Sequence, residues 1–293
     1  MKNQKKYLVT GGTGFFGKNL LARLMRSPHV VHVLEADLMN EHDLRFEVEK
    51  FQPDVVYHLG AHVNLDRTFE VAKTCIDVNI RGTLNLLDSL IKTRLDRFIY
   101  SSTEEVYGDG EIPFKESQLL HPPSFYAVSK VATEQLISIY SQMLGFKSIV
   151  FRVGTAYGNF QPKFRLIPQI VTKALKNEDI LLNSGLKKRD YIYIEDVVDA
   201  FILASDVNIK KQNIICNLGG GNSYTLRYLV ECVLKETKSL SKVKYGVFPD
   251  RVLEAEAWLL DNTEALKHFG WIPNTTFEIG ISKTIPFYSN VEI

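Results

Sequence analysis

The 293 residues are enough to bury a large core, as one big domain or two interleaved ones. Lysine plus arginine number 35 against 34 aspartate plus glutamate, a balance that gives neither nucleic acid nor a membrane surface an electrostatic reason to bind. Three cysteines, Cys75, Cys216 and Cys232, have no metal-ligand spacing and cannot all pair with one another; this argues against a zinc site or a disulfide scaffold and fits a reducing cytoplasm.

The N-terminal "MKNQKKYLVTGG" has an apolar run of only three residues before its glycines, and no apolar run reaches the ~18 residues of a membrane span. A soluble protein is expected. Short apolar runs follow at Tyr7–Val9, Val30–Leu34, Val55–Leu59, Phe98–Tyr100 and Ile149–Phe151, with helical patterns between them near 17–26, 41–50, 77–93 and 126–144. That alternation predicts an α/β fold, a Rossmann-like doubly wound parallel sheet with ligands at the carboxyl ends of its strands. After Arg152, prolines and glycines break the chain into shorter elements, which predicts a smaller C-terminal α/β lobe for substrate. The expected division is 1–153 with 186–219 for the dinucleotide-binding domain, and 154–185 with 220–293 for the substrate lobe. The segment "RDYIYIEDVVDAFILA" (189–204) reads as strand then helix, returning to the main sheet.

Gly11, Gly14 and Gly17 in "YLVTGGTGFFGKNLLARLM" stand between a strand and an amphipathic helix. There they permit a tight turn, let backbone approach a pyrophosphate, and point the helix N-terminus at its charge. Only one strand then precedes the helix near Glu41, so the region around strands 2 and 3 is shortened. Glu35 and Asp37 end that strand as candidates to face the adenosine; an acid there repels a 2′-phosphate and favours NAD over NADP.

Tyr126 and Lys130, four apart on a predicted helix, project from one face. Val128, Val131, Ala132, Leu136, Ile139 and Met143 are expected to supply its apolar packing. An ammonium beside a phenol lowers its pKa from about 10, which suits removal of a proton from a sugar hydroxyl while NAD takes the hydride. At the end of an earlier strand, "YSSTEEVYG" sets Glu104 beside Glu105. Two neighbouring carboxyls in a dry pocket take opposite protonation states, because one charge raises the other's pKa.

These motifs, with "PDVVYHLGAH", "NIRGTLNLLD", "NLGGG" and "HFGWIP", make the chain resemble the extended short-chain dehydrogenase/reductase family that modifies nucleotide sugars. Within that family it looks most like the sugar-nucleotide 4,6-dehydratases, which carry Thr-Asp-Glu where this chain has Thr103-Glu104-Glu105 and Asp-Arg-Ser near a His-Val where it has "HVNLDRTFE". The resemblance implies a catalytic set of Thr103, Glu104, Glu105, Tyr126 and Lys130, with Glu105 as base and Glu104 as acid. It implies NAD contacts from Gly11, Gly14, Phe15, Phe16, Gly17, Glu35, Asp37, Leu38, Leu59, Gly60, Ala61, Asn79, Ser101, Tyr126 and Lys130. A nucleotide-diphosphate sugar would meet His62, Thr103, Thr155, Arg189 and Arg251, with no metal. It also implies a homodimer through the helices at 77–93 and 126–144. His58 and Trp271 read as packed core, and Lys187-Lys188 as a solvated face.

The chain departs from the dehydratase pattern at Glu104, one methylene longer than the family's Asp, at Thr155, where the family has Asn, and at Asn159, where it often has Pro. A nucleotide-sugar 4-epimerase or decarboxylase, or a non-enzymatic NAD-binding regulatory or scaffold protein, remains an open alternative from the residues alone.

Overall fold

Apolar residues at alternate positions sort each central strand onto two faces. Tyr7, Val9, Val55, Tyr57 and Ile99 enter one core, while Leu8, Val56, Phe98 and Tyr100 enter the other, as a period of two requires. Each fully buried side chain of this size contributes about 1.5–3 kcal/mol, so one-residue slips of register are strongly disfavoured.

The computed structural model describes residues 4–250 and 255–289. In chain order the first half runs β1 (Lys6–Thr10), α1 (Phe15–Leu24), β2 (Val30–Val33), α2 (Glu41–Phe51), β3 (Val55–His58), α3 (Phe69–Thr74), a π-helical turn at Cys75–Arg81, α4 (Gly82–Ser89), β4 (Arg97–Thr103), a 3-10 turn at Glu104–Tyr107, α5 (Phe125–Leu144) and β5 (Lys147–Val153). The second half runs β6 (Thr155–Tyr157), α6 (Leu166–Leu175), β7 (Ile180–Leu181), β8 (Lys188–Tyr193), α7 (Ile194–Asp206), β9 (Asn213–Leu218), β10 (Ser223–Thr225), α8 (Leu226–Thr237), β11 (Val243–Lys244), α9 (Thr263–Phe269) and α10 (Phe277–Ser289). The main sheet is parallel in the order β2-β1-β3-β4-β5-β9. Strand order reverses between β1 and β3, and the crevice at such a switch point is where ligands bind. A single strand, β2, lies beyond β1, as the shortened sequence there requires.

The returning strand is a correction. β8, the strand that opens the 189–204 segment, does not rejoin the main sheet; it pairs β6 in parallel and β10 antiparallel in a separate three-stranded sheet. The chain leaves β5 at Gly154, packed so closely on the Asp190 carbonyl that an added Cβ would lie 2.8 Å from it. The free edge of β5 is taken by β9. Trp271 is buried in the core as expected, its indole N–H donating 2.9 Å to the Asp196 carbonyl.

Helix α5 begins at Ser124, whose hydroxyl accepts the Ala127 N–H, and ends at Gly145 in the left-handed conformation, its N–H on Ser141. Tyr126, Lys130, Glu134 and Ile137 share its buried face. The expected packing stripe is partly overturned: Val128, Ile139 and Met143 are 47 %, 53 % and 69 % exposed, because the helix is apolar on both sides and its polar residues face inward. No described helix is long and apolar enough to cross a membrane.

Candidate active site

The carboxyl ends of β1, β3, β4 and β5 open onto a cleft of about 1020 Å³ whose other wall is α6, β7, β8 and the 248–249 segment. At its floor the turn from β1 into α1 is shaped by contact. Gly11 sits at φ +67°, and a Cβ there would lie 2.6 Å from the Gly60 nitrogen; a Cβ on Gly17 would lie 2.2 Å from the Gly11 carbonyl. Helix α1 has no side-chain cap and no acid in its first turn, so its leading N–H groups are left for an anion. Gly14, Phe15 and Phe16 line the cleft above them. This cradle, closed to side chains and open at its N–H groups, fits a dinucleotide pyrophosphate.

His58, at the end of β3, holds the neighbouring wall. Thr83 donates its hydroxyl to the Asn79 carbonyl, so its oxygen accepts the His58 Nε2–H at 2.8 Å. His58 Nδ1 then accepts from Thr10, whose oxygen takes the Leu59 and Gly60 N–H groups. Burial drives the imidazole down to about 3, so it stays neutral. Leu59 and Ala61 line the cleft. Asn79, in the π-helical turn, is fully buried and clamps the His62 backbone N–H and C=O and the Ser129 hydroxyl. Its place is behind the wall, and His62 is held by that backbone clamp outside the lining residues. Glu35 and Asp37 are exposed beyond β2, where Asp37 accepts the Met39 N–H and Glu35 donates its N–H to Glu47. Leu38 packs on Gly82. Arg251 lies outside the described residues.

The candidate catalytic groups converge from two elements. Thr103 ends β4 and caps the 3-10 turn, its hydroxyl accepting the Glu105 N–H. That single turn sends the two carboxyls different ways. Glu105, half-buried, accepts from the α5-capping hydroxyl of Ser124 at 3.3 Å. Glu104 is 4 % exposed and accepts from Thr155 at 2.7 Å. Burial, then the charge of Asp190, pushes Glu104 up to about 8, against the pull of Arg189 and Thr155. It is therefore a neutral acid at pH 7.

Tyr126 and Lys130 face the same cleft. Lys130 Nζ donates 2.7 Å to the Ser101 carbonyl and lies 4.5 Å from the centre of the Tyr100 ring and 5.7 Å from that of Tyr126. Its burial lowers it to about 7, with Glu134 opposing. The expected drop in the Tyr126 pKa is absent. Burial, then the Glu105 charge, push the phenol up, and Arg165 and Thr103 only partly offset them.

The NAD dependent epimerase/dehydratase family matches residues 7–219. The chain belongs to this family. It is an NAD-dependent enzyme of the epimerase/dehydratase kind. It is 30 % identical over 331 residues to the dTDP-glucose 4,6-dehydratase of Haemophilus influenzae, covering 96 % of this chain and 97 % of that one. It is 27 % identical over 324 residues to the UDP-N-acetyl-alpha-D-glucosaminuronate decarboxylase of Bacillus cytotoxicus, covering 99 % of each. The UDP-glucose 4-epimerase of Thermotoga maritima, solved with UDP-glucose, superimposes with a TM-score of 0.90 at 26 % identity, over 97 % of this chain and 98 % of that one.

Beside the expected Arg189, several groups in and around this family member's cleft were given no site role from the sequence. Lys187 is half-buried and lines the cleft while pairing with Glu256 at 3.5 Å, so it is not simply a solvated face. Arg165, at the N-terminus of α6, reaches back to the Val63 carbonyl at 3.4 Å and bears on Tyr126. Arg189 stacks over Trp258 at 5.1 Å. Asp190 is buried on the Leu260 and Gly220 N–H groups and raised to about 7 by burial. Beneath the floor, Glu134 and Arg152 form a buried pair. Its sequence signal is the spacing Tyr126, Lys130, Glu134, which sets a third polar group on the buried face of α5.

Proposed function

We propose that this enzyme is a nucleotide-sugar 4,6-dehydratase. The observation that carries the reading is the pair at the end of β4: a buried Glu104, whose carboxyl burial and the Asp190 charge raise to about 8, beside a Glu105 tied to the start of α5. Elimination of water needs one carboxyl that gives a proton and one that takes one. Tyr126, next to Thr103 and Lys130, removes the proton of the sugar 4-hydroxyl. The C4 ketone acidifies C5, Glu105 removes the C5 proton, and Glu104 protonates the departing 6-hydroxyl. NAD, when bound, would supply the acceptor of the C4 hydride and its donor to C6, with Glu105 giving its proton back to C5, and its positive charge would oppose the effect of burial on the Tyr126 phenol. Arg189 would meet the diphosphate, where a guanidinium fork suits the anion. Residues 1–153 with 186–219 would carry the dinucleotide, and 154–185 with 220–293 the sugar nucleotide. The free thiols Cys75, Cys216 and Cys232 fit a cytoplasmic enzyme.

The test is to incubate purified protein and NAD with nucleotide-diphosphate hexoses and weigh the products. A product lighter by one water is expected. A product of unchanged mass would assign a 4-epimerase, and loss of carbon dioxide from a uronic acid a decarboxylase.

The enzyme is further proposed to be a homodimer through the helices at 77–93 and 126–144, extended by α3, which leads into the first of them through the π-helical turn. Phe69, Ile76, Val128, Ile139 and Met143 expose their apolar side chains along these elements, an outward face of the kind that two-fold contacts cover. Ile139→Lys should convert the protein to a monomer in sedimentation velocity. A wild type that sediments as a monomer would refute the dimer.

A further inference from the structure

Two of the positions that depart from the dehydratase pattern meet in space. The Thr155 hydroxyl, at the start of β6, donates 2.7 Å to Glu104 Oε1. Glu104 Oε2 is buried and has no hydrogen-bond partner among the described residues. It borders Gly154, where a Cβ would lie 3.6 Å from it, and Gly154 and Glu104 both line the cleft. A neutral carboxyl has one carbonyl oxygen and one hydroxyl. With Oε1 occupied as the acceptor of Thr155, the proton belongs on Oε2.

We propose that Thr155 is the positioning residue of the acid: its hydroxyl fixes the Glu104 carboxyl so that the transferable proton sits on Oε2 beside Gly154. This rests on the dehydratase reading for its use in elimination, but not for the geometry. The longer Glu at 104 and the shorter Thr at 155 offset one another, so the acid keeps its reach through a different hydrogen bond. The charged and titratable groups around Glu104 are Glu105 on its own turn and Asp190, Arg189 and Tyr191 on β8. None of them is altered by a change at 155.

The sign of the effect follows from the bond. A hydroxyl that donates to a carboxyl favours its ionised form, and Thr155 pulls Glu104 down in this way. Thr155→Val, nearly isosteric, should move the Glu104 titration to higher pH, whereas Thr155→Ser should leave it in place. The titration is read by infrared spectroscopy of protein labelled with ¹³C at its glutamate carboxyls, and the Glu104 signal is the one lost in Glu104→Gln. In turnover, Thr155→Val should lower kcat for water loss about tenfold to a hundredfold, the range of a reacting group misplaced by up to ~1 Å, with KM little changed. Thr155→Ser should recover most of the rate. An unmoved titration in Thr155→Val, or a serine variant that behaves like the valine one, would overturn the proposal. The titration needs no turnover. Absence of water loss in the wild type would therefore sink the dehydratase reading while leaving the role of Thr155 to be decided by the shift.

Discussion

Replacing Glu104 by glutamine is expected to lower the rate of water loss about 10²–10⁴-fold, the range of a positioned general acid. Glutamine keeps the shape and can still accept from Thr155, but it has no acidic proton for a leaving hydroxyl. Under the proposed mechanism, oxidation at C4 falls to Tyr126, Thr103 and Lys130 and should survive. Exchange of the C5 proton with deuterated solvent should survive too, since Glu105 is unchanged. The variant would thus oxidise and exchange without eliminating, which mass spectrometry of the sugar reads directly.

The pH dependence has a definite sign. An acid must hold its proton, so elimination should fall as pH rises through about 8, where burial and the Asp190 charge place Glu104. The rate is best taken relative to C4 oxidation, because Lys130 titrates near 7 and affects both steps. Glu104→Gln should remove this limb from the ratio. A variant that eliminates at the wild-type rate would show that Glu104 has no catalytic task.

The second large effect is on stability. Arg152 Nη2 donates 2.7 Å to Glu134 Oε2 and Nε 3.2 Å to Oε1, with both residues about 2 % exposed. Arg152 also donates to the Tyr107 hydroxyl, and Ser102 donates to Glu134. Arg152→Met would leave a carboxylate in a dry interior. The expected cost is about 3–5 kcal/mol, read as a fall in unfolding free energy in urea. The double change Arg152→Met with Glu134→Leu should recover much of it, because neither charge is then stranded. That double variant should still turn over poorly. Glu134 is the group that lifts Lys130 against burial, and without it the ammonium is lost at lower pH. Unchanged stability in Arg152→Met would contradict this account of the pair.

Much of the fold was legible because strand periodicity is local. The alternation at Tyr7–Val9 and Phe98–Tyr100 already assigns each residue to one of two cores. Sheet membership of β8 was not legible. Nothing in "RDYIYI" says whether β5 or β6 will be its neighbour, and the close approach at Gly154 decides it. The outward face of α5 was misread for a related reason: a helix apolar on both sides does not reveal which side meets the sheet. At the site, the placing of Tyr126 and Lys130 on one face followed from spacing alone. Their proton affinities did not, because they depend on burial and on Glu105 and Glu134. The asymmetry between Glu104 and Glu105 comes from one 3-10 turn and from Thr155 and Asp190, groups about 50 and 85 residues downstream.

The central claim is that C4 oxidation is coupled to elimination across C5 and C6, and a label decides it. A nucleotide-diphosphate hexose carrying deuterium at C4 is converted, and the deuterium is located by NMR. The account predicts that it arrives at C6 of a 4-keto-6-deoxy product. Deuterium retained at C4, in an epimer or in a decarboxylated sugar, would contradict it.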